Sequence, residues 1–329
     1  MADDRARRAV GSEPQASGVV PRRSLNLALV LVLGCGYTAG RVARRLLAHG
    51  ERVVAVARDL DGMAAVALQG GKIVATDVSE VRSRRALARQ VPGADELRVL
   101  HSIPPLGSDA RGPDALGETL RALGRRVSRL VYLSSTRVYG RAQVVDAGTP
   151  AIPEDDAGRR RLEGERRATE GPWPTLVLRP AAIYGPHRGL HVALQRGQLG
   201  RVRDPDRVVS RVYVDDLAAL AEAALFSEAV GEMPVADDLP ATAREIATFC
   251  EELGLPGLPA AAACSASPGE ERGRRVDGVA IRKLLSQPSI CPSYRVGIPM
   301  ALAEEKGASR GPGGCANGAP AGPSDAGAQ

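Results

Sequence analysis

The strongest constraint on this chain lies near its N-terminal end. An apolar run at 27–33 stops at Gly34-Cys35-Gly36-Tyr37-Thr38-Ala39-Gly40, gives way to a helical pattern over 39–49, and is followed by a second apolar run, RVVAVA, at 52–57. The change from strand-like to helix-like spacing and back predicts a βαβ unit. Gly34, Gly36 and Ala39 occupy the three small positions of a G-x-G-x-x-G/A turn. Gly34 permits the tight turn out of the strand, Gly36 lets the backbone approach a pyrophosphate, and Ala39 lets the helix pack closely on the sheet. Tyr37 and Thr38 open the helix, whose N-terminus is suited to phosphate. A purely structural glycine turn is the alternative, but a strand before it and a helix and strand after it favour dinucleotide binding.

The same alternation continues. Strands are expected at 72–75, 97–101, 130–134 and 175–179, with helices at 80–90, 113–126 and 158–170 between them. This predicts an α/β fold, a doubly wound parallel sheet of Rossmann type. Beyond Pro180 the pattern loosens to helices at 214–229 and 242–253. The expected organisation is a tail at 1–24, a nucleotide-binding Rossmann domain at 25–180, a smaller C-terminal substrate lobe at 181–305 that partly returns to the sheet, and a Gly/Ala/Pro/Ser tail at 306–329.

Composition narrows the function classes. Aromatics are 3% of the 329 residues, so the core is aliphatic, as a parallel sheet between helices requires. The net charge of +6 comes from scattered arginines without aromatic platforms, which argues against a nucleic-acid partner. Cys35, Cys250, Cys264, Cys291 and Cys315 form no CxxC pair, and His187 and His191, four apart, have no third ligand at metal spacing, so no metal is expected. Arg22-Arg23 before the apolar run imitates an export signal. Cleavage there would remove the strand that leads into the glycine turn, and the run is shorter than the ~20 residues of a bilayer span. A cytoplasmic protein without a membrane partner is expected, with a small-molecule substrate; the oligomeric state is left open, a dimer included.

Cofactor choice is read at the end of the second strand, Ala57-Arg58-Asp59. Arg58 can pair with a 2′-phosphate, favouring NADP; alternatively Arg58 points to water and Asp59 takes the ribose of NAD.

Six segments in order resemble the extended or atypical short-chain dehydrogenase/reductase superfamily, near the NAD-dependent epimerase/dehydratases. They are the glycine turn, Thr76-Asp77-Val78, YLSSTRVYG at 132–140, LRPAAIYGP at 178–186, RVYVDDLAAL at 211–220 and PVADDLPATAREIA at 234–247. The resemblance implies that Asp77 meets the adenine, that His101-Ser102-Ile103 lines the cofactor, that Ser134 lies beside it, that Ser135 is the catalytic Ser/Thr, and that Arg211 meets substrate phosphates. Local alternatives stand beside these roles. Asp77 could cap a helix starting near Ser79, Ser134 and Ser135 could satisfy loop backbone, Arg211 could be solvated, and Asp215 and Asp216 could cap a helix.

The pattern breaks at the acid-base pair. The superfamily's Tyr-x-x-x-Lys places a phenol and an ammonium one helical turn apart, the Lys lowering the Tyr pKa. Glu165, aligned with the helix's downstream Glu, sets Ala157 at the Tyr position and Arg161 at the Lys position. Arg161 can still hold ribose hydroxyls or phosphate, but Ala157 cannot move a proton. Tyr139 and Tyr184, each in a V/I-Tyr-Gly turn, are the substitute acids, with packed or turn-stabilising tyrosines as the alternative. Three functions follow: an NAD(P)-dependent oxidoreductase or epimerase-like enzyme, a redox-silent NADP(H) sensor, and a nucleotide-sugar epimerase or dehydratase. The last is disfavoured by Ala157 and by Ala181-Ala182, where those enzymes usually present Asn.

Overall fold

The computed structural model describes residues 28–105, 115–123, 127–200, 202, 204–259 and 272–309. The strands are β1 (Leu29–Leu33), β2 (Arg52–Ala57), β3 (Lys72–Ala75), β4 (Leu97–His101), β5 (Val127–Leu133), β6 (Val144–Val145), β7 (Thr175–Pro180), β8 (Ala182–Tyr184), β9 (Val208–Val209), β10 (Arg211–Tyr213), β11 (Gly231–Val235) and β12 (Gly273–Val276). The helices are α1 (Tyr37–Ala48), α2 (Ala64–Leu68), α3 (Val81–Gln90), α4 (Ala115–Ala122), α5 (Asp156–Thr169), α6 (Leu190–Gln195), α7 (Val214–Leu225), α8 (Ala243–Glu252), α9 (Val279–Arg282) and α10 (Tyr294–Ser309).

Seven strands form one sheet in the order β11-β7-β5-β4-β1-β2-β3, and every pairing in it is parallel. All five residues of β1 are buried, so the strand has no face for water and the sheet must be covered on both sides. Strand periodicity distributes the side chains between two cores. Val30, Val32, Val53, Ala55, Leu100 and Val131 pack towards α1 and α7, while Leu29, Leu31, Leu33, Val54, Val99 and Leu130 pack towards α3, α4 and α5. Ala39, Val42, Ala43 and Leu46 of α1 meet Leu217, Ala218, Ala221 and Ala224 of α7, and the alanines let the two helices lie close. This is the expected doubly wound Rossmann sheet. The chain order reverses between β1 and β4, where a crevice opens at the carboxyl ends of the strands.

The C-terminal part is woven into that frame. α7 packs on α1, and β11 extends the sheet beside β7, which the alternation over 25–180 did not foresee in detail. β8 pairs in parallel with β10, and β6, β12 and β9 make a second small sheet. A separate core of Tyr184, Tyr213, Ile246, Cys250, Tyr294 and Ile298 joins α8 and α10 to it. Lys306–Ser309, read as the start of a tail, instead complete α10. The expected 1–24 tail, Arg22-Arg23, Cys264, Cys315 and residues beyond 309 lie outside the described residues. Among the described residues no helix is long and apolar enough to cross a membrane.

Asp215 and Asp216, expected to cap a helix, fasten other parts of the fold. Asp215 accepts from Arg41 of α1 at 2.9 Å, and Asp216 accepts from the backbone N–H groups of Ile290 and Cys291 at 2.7 and 2.8 Å. Asp216 is 4% exposed, so its removal leaves two donors without their acceptor. Asp216→Ala is expected to lower unfolding free energy by about 2–4 kcal/mol in denaturant titration, and Asp215→Ala by less than about 1 kcal/mol, because Arg41 keeps Glu304 as a second carboxylate.

Candidate functional site

A cavity of about 590 Å³ occupies the crevice, walled by the glycine turn, the ends of β2, β3, β4 and β5, Arg161 of α5, Pro180 at the end of β7, and Ile183 and Arg188 from beyond it. Gly34 leaves β1 with φ +87°, and a Cβ there would lie 2.8 Å from Ile103 Cγ1 and from its backbone nitrogen. Glycine is therefore required at 34 by both backbone and space. Gly36 differs: its φ is −98°, and a Cβ there would meet nothing within 4 Å. Its missing side chain leaves open room in front of the N-terminus of α1, which has no side-chain cap and no acidic residue in its first turn. An uncapped helix N-terminus facing a cavity fits a dinucleotide diphosphate.

Thr38, Arg58, Asp59, Asp77, Ser102, Ser134 and Arg161 all reach the cavity wall. Arg58 is exposed. Asp59 Oδ1 accepts the N–H of Asp61 at 3.0 Å, and Asp77 Oδ1 accepts the N–H of Ser79 at 2.9 Å. The helix cap expected as an alternative for Asp77 does not form, since Glu80 is the N-cap of α3; Asp77 instead closes a local turn on Ser79 while lying on the wall. Its bonds with Ser79, with Arg58 nearby, hold the carboxyl below its ordinary range. Tyr37 lies between two guanidiniums, Arg41 at 5.5 Å and Arg188 at 5.3 Å from its ring centre, and its hydroxyl donates to Pro186 O at 2.9 Å. Burial pushes that phenol up to about 12. Cys35 is also on the wall, its thiol raised to about 11 by burial.

Behind the wall runs a buried polar chain. Ser134 Oγ donates to Glu165, which also accepts from Arg179 Nη2 at 2.7 Å, and Arg179 Nη1 donates to Tyr139 Oη at 3.3 Å. Glu165 and Arg179 are 2% and 7% exposed, and each answers the other's charge. One turn earlier on α5, Arg161 reaches the cavity and donates from Nη1 to Leu133 O at 3.4 Å. Burial lowers its pKa, with Tyr132 and Glu165 opposing.

Several expected site residues are placed elsewhere. Ser135 is off the cavity wall: its Oγ accepts the N–H of Arg137 at 3.2 Å and begins a short turn, so the hydroxyl at the wall is that of Ser134. Tyr139 is 2% exposed, packed on Val138, Val145 and Val276, with burial raising its pKa. Tyr184 is 3% exposed, edge-on to Tyr213 at 5.4 Å, its hydroxyl without a partner and its pKa raised by burial. Neither tyrosine lies on the cavity wall. His101 is stacked on Tyr132 at 5.1 Å and lies behind Ser102 and Ile103 rather than in the wall. Burial, aided by Arg161, lowers its pKa to about 4 and keeps it neutral.

Arg211, expected at the substrate or in solvent, does neither through Nη1, which holds Val209 O and Ala241 O, both at 2.7 Å. Burial lowers its pKa to about 10. Near it Asp237 is 7% exposed, with both carboxylate oxygens unpartnered. His187 precedes α6, so it does not share a helix face with His191; both instead approach Glu305, at 3.7 and 3.9 Å. The described residues contain no group of three side chains suited to a metal.

A parallel seven-stranded sheet with a glycine turn, an open helix N-terminus and a crevice at its switch point defines a dinucleotide-binding protein of the Rossmann class. The model of the NAD dependent epimerase/dehydratase family matches residues 30–232, and the chain belongs to that family. A 3-diazoavenalumate denitrifying reductase of a Streptomyces species is 29% identical over 268 residues, which cover 71% of this chain and 85% of the relative. The human short-chain dehydrogenase/reductase family 42E member 1 is 26% identical over 234 residues, 60% of this chain and 58% of its own length. A conserved protein of unknown function from Silicibacter pomeroyi superposes with a TM-score of 0.67 at 30% identity, covering 84% of this chain and 99% of that one.

Two contrasts test this geometry. Gly34→Ala is expected to cost about 2–4 kcal/mol of stability through its φ and the contact with Ile103. Gly36→Ala leaves the melting temperature unchanged while weakening dinucleotide binding in a titration. For Asp237, burial raises the pKa from 3.8 to about 8 against the pull of Arg211. The folded chain then holds a proton that the unfolded chain has lost, so this group's contribution is intact below its unfolded value and fades as pH rises through its folded one. Asp237→Asn is expected to gain stability relative to the parent between pH 4 and pH 8, read by denaturation at each pH; a constant difference would contradict the assignment.

Proposed function

We propose that the chain is an NADP(H)-dependent reductase of the short-chain type that serves a small acceptor without a tyrosine acid. The observation that carries this reading is Arg161 on the cavity wall with Ala157, not a tyrosine, one helical turn before it. In this class the bound nicotinamide supplies hydride.

Within that reading the backbone at Gly36 and the first turn of α1 hold the diphosphate. Arg58 pairs with a 2′-phosphate; its place on the wall and the engagement of Asp59 by Asp61 favour this over NAD. Asp77 orients the adenine end, and Arg161 and Ser134 hold the nicotinamide end. Ser134 spends its proton on Glu165, leaving its oxygen free to accept. The acceptors that suit this site take their proton from solvent or need none: an iminium carbon accepts the hydride to give an amine, and a diazonium carbon accepts it as its C–N bond breaks and dinitrogen leaves. The name of the Streptomyces relative, a reductase of a diazo compound, favours reduction over epimerisation.

The missing acid equally suits a protein that binds NADP(H) and reports the nucleotide ratio to a partner. One experiment separates the two: titrate the chain with NADPH, then follow NADPH absorbance with ketones, iminium ions and aryl diazonium ions. The reductase reading predicts binding that is tighter for NADPH than NADH, and turnover with the cationic acceptors above that with ketones. Tight binding with no absorbance loss across the panel would sink it in favour of the sensor.

A further inference from the structure

Arg188 was not legible as a site residue, yet it lies on the cavity wall, one of the few residues there contributed from beyond β7. The loop that delivers it is closely specified. Gly185 has φ +156°, and a Cβ there would lie 2.8 Å from Tyr37 Oη and 2.6 Å from Val214 Cγ1. Gly185 and Arg188 exchange backbone hydrogen bonds at 2.9 and 3.0 Å, His187 between them has φ +60° and gives its N–H to Glu305, and Pro186 O receives the Tyr37 hydroxyl. A backbone held in a sparsely populated conformation by contacts from α1 and α10 is a sign that the position of its side chains matters.

The two arginines on Tyr37 differ in how their charge is used. Arg41 is answered by Asp215 at 2.9 Å and Glu304 at 3.0 Å. Arg188 has no carboxylate partner among the described residues, and its guanidinium rests on the ring of the first residue of α1. An unanswered guanidinium beside an uncapped helix N-terminus complements an anion that both can share.

We propose that Arg188 is a positioning residue for the cofactor, a clamp from the C-terminal lobe that holds the dinucleotide diphosphate against the N-terminus of α1. It rests on the cofactor reading above and adds a coupling: binding ties the β8–α6 loop to the nucleotide domain. The clamp acts on the diphosphate, common to NAD and NADP, whereas Arg58 acts on the 2′-phosphate alone. The two arginines therefore leave different signatures.

The test is calorimetric titration of the full chain and of Arg188→Ala and Arg58→Ala with NADPH, NADH and 2′-AMP, with melting curves to check folding. Loss of a charge-assisted hydrogen bond predicts that Arg188→Ala weakens NADPH and NADH alike, by about 10- to 100-fold, and leaves 2′-AMP unchanged. Arg58→Ala weakens NADPH and 2′-AMP but not NADH. A folded Arg188→Ala that binds NADPH as tightly as the parent overturns the clamp, as does an equal loss for 2′-AMP. Failure of the parent chain to bind either dinucleotide would instead remove the cofactor reading, and the clamp with it.

Discussion

At Gly34 the chain turns out of β1 with φ +87°, and the room a side chain would need is taken by Ile103 and the carbonyl carbon of Ser102. The turn is pinned from the other side, since the N–H groups of Gly34 and Cys35 both donate to Val56 O at 2.9 Å. β1, β2 and the segment after β4 therefore converge within a few ångströms at the point where strand order reverses. The crevice is a consequence of that convergence, and so is the direction of α1. Its N-terminus faces the cavity because the residue that starts the turn has no Cβ and the residue that ends it, Gly36, fills none of the space in front.

The opposite wall depends on a buried charge pair. Glu165 and Arg179 join α5 to β7, and Ser134 at the end of β5 completes the link. Leaving either charge alone in this interior would be costly, so the pair fixes how α5 lies on the sheet. Arg161 is carried by the same helix one turn away, and its height above β5 follows from that anchoring. Arg161 is thus held by the charge pair that anchors α5, while the adjacent turn, at Ala157, presents no proton donor.

Much of the frame was legible because its cause is local. β2, β3 and β4 fall where their apolar runs end in turn residues, and the glycine turn reads directly as a change of period. Side-chain destinations were harder, because they depend on contacts across the chain. Ser134 and Ser135 are adjacent, and only their partners, Glu165 and the N–H of Arg137, decide which reaches the cavity. Tyr139 is claimed by Arg179, Tyr184 by the core it shares with Tyr213 and Tyr294, and His101 by stacking on Tyr132. Arg188 gave one local signal, the turn Gly185-Pro186-His187-Arg188-Gly189, but its meeting with Tyr37 spans most of the fold.

Under the proposed function the cavity takes a phosphorylated dinucleotide beside a site without a phenol donor. A structure of the chain crystallised with NADPH tests this most directly. The predicted result places the diphosphate at the backbone of Gly36 and the first turn of α1, the 2′-phosphate at Arg58, and the nicotinamide beside Ser134 and Arg161 with no tyrosine hydroxyl within about 3 Å of the space over it. A nucleotide bound elsewhere, or a phenol brought to the nicotinamide by rearrangement, would contradict it.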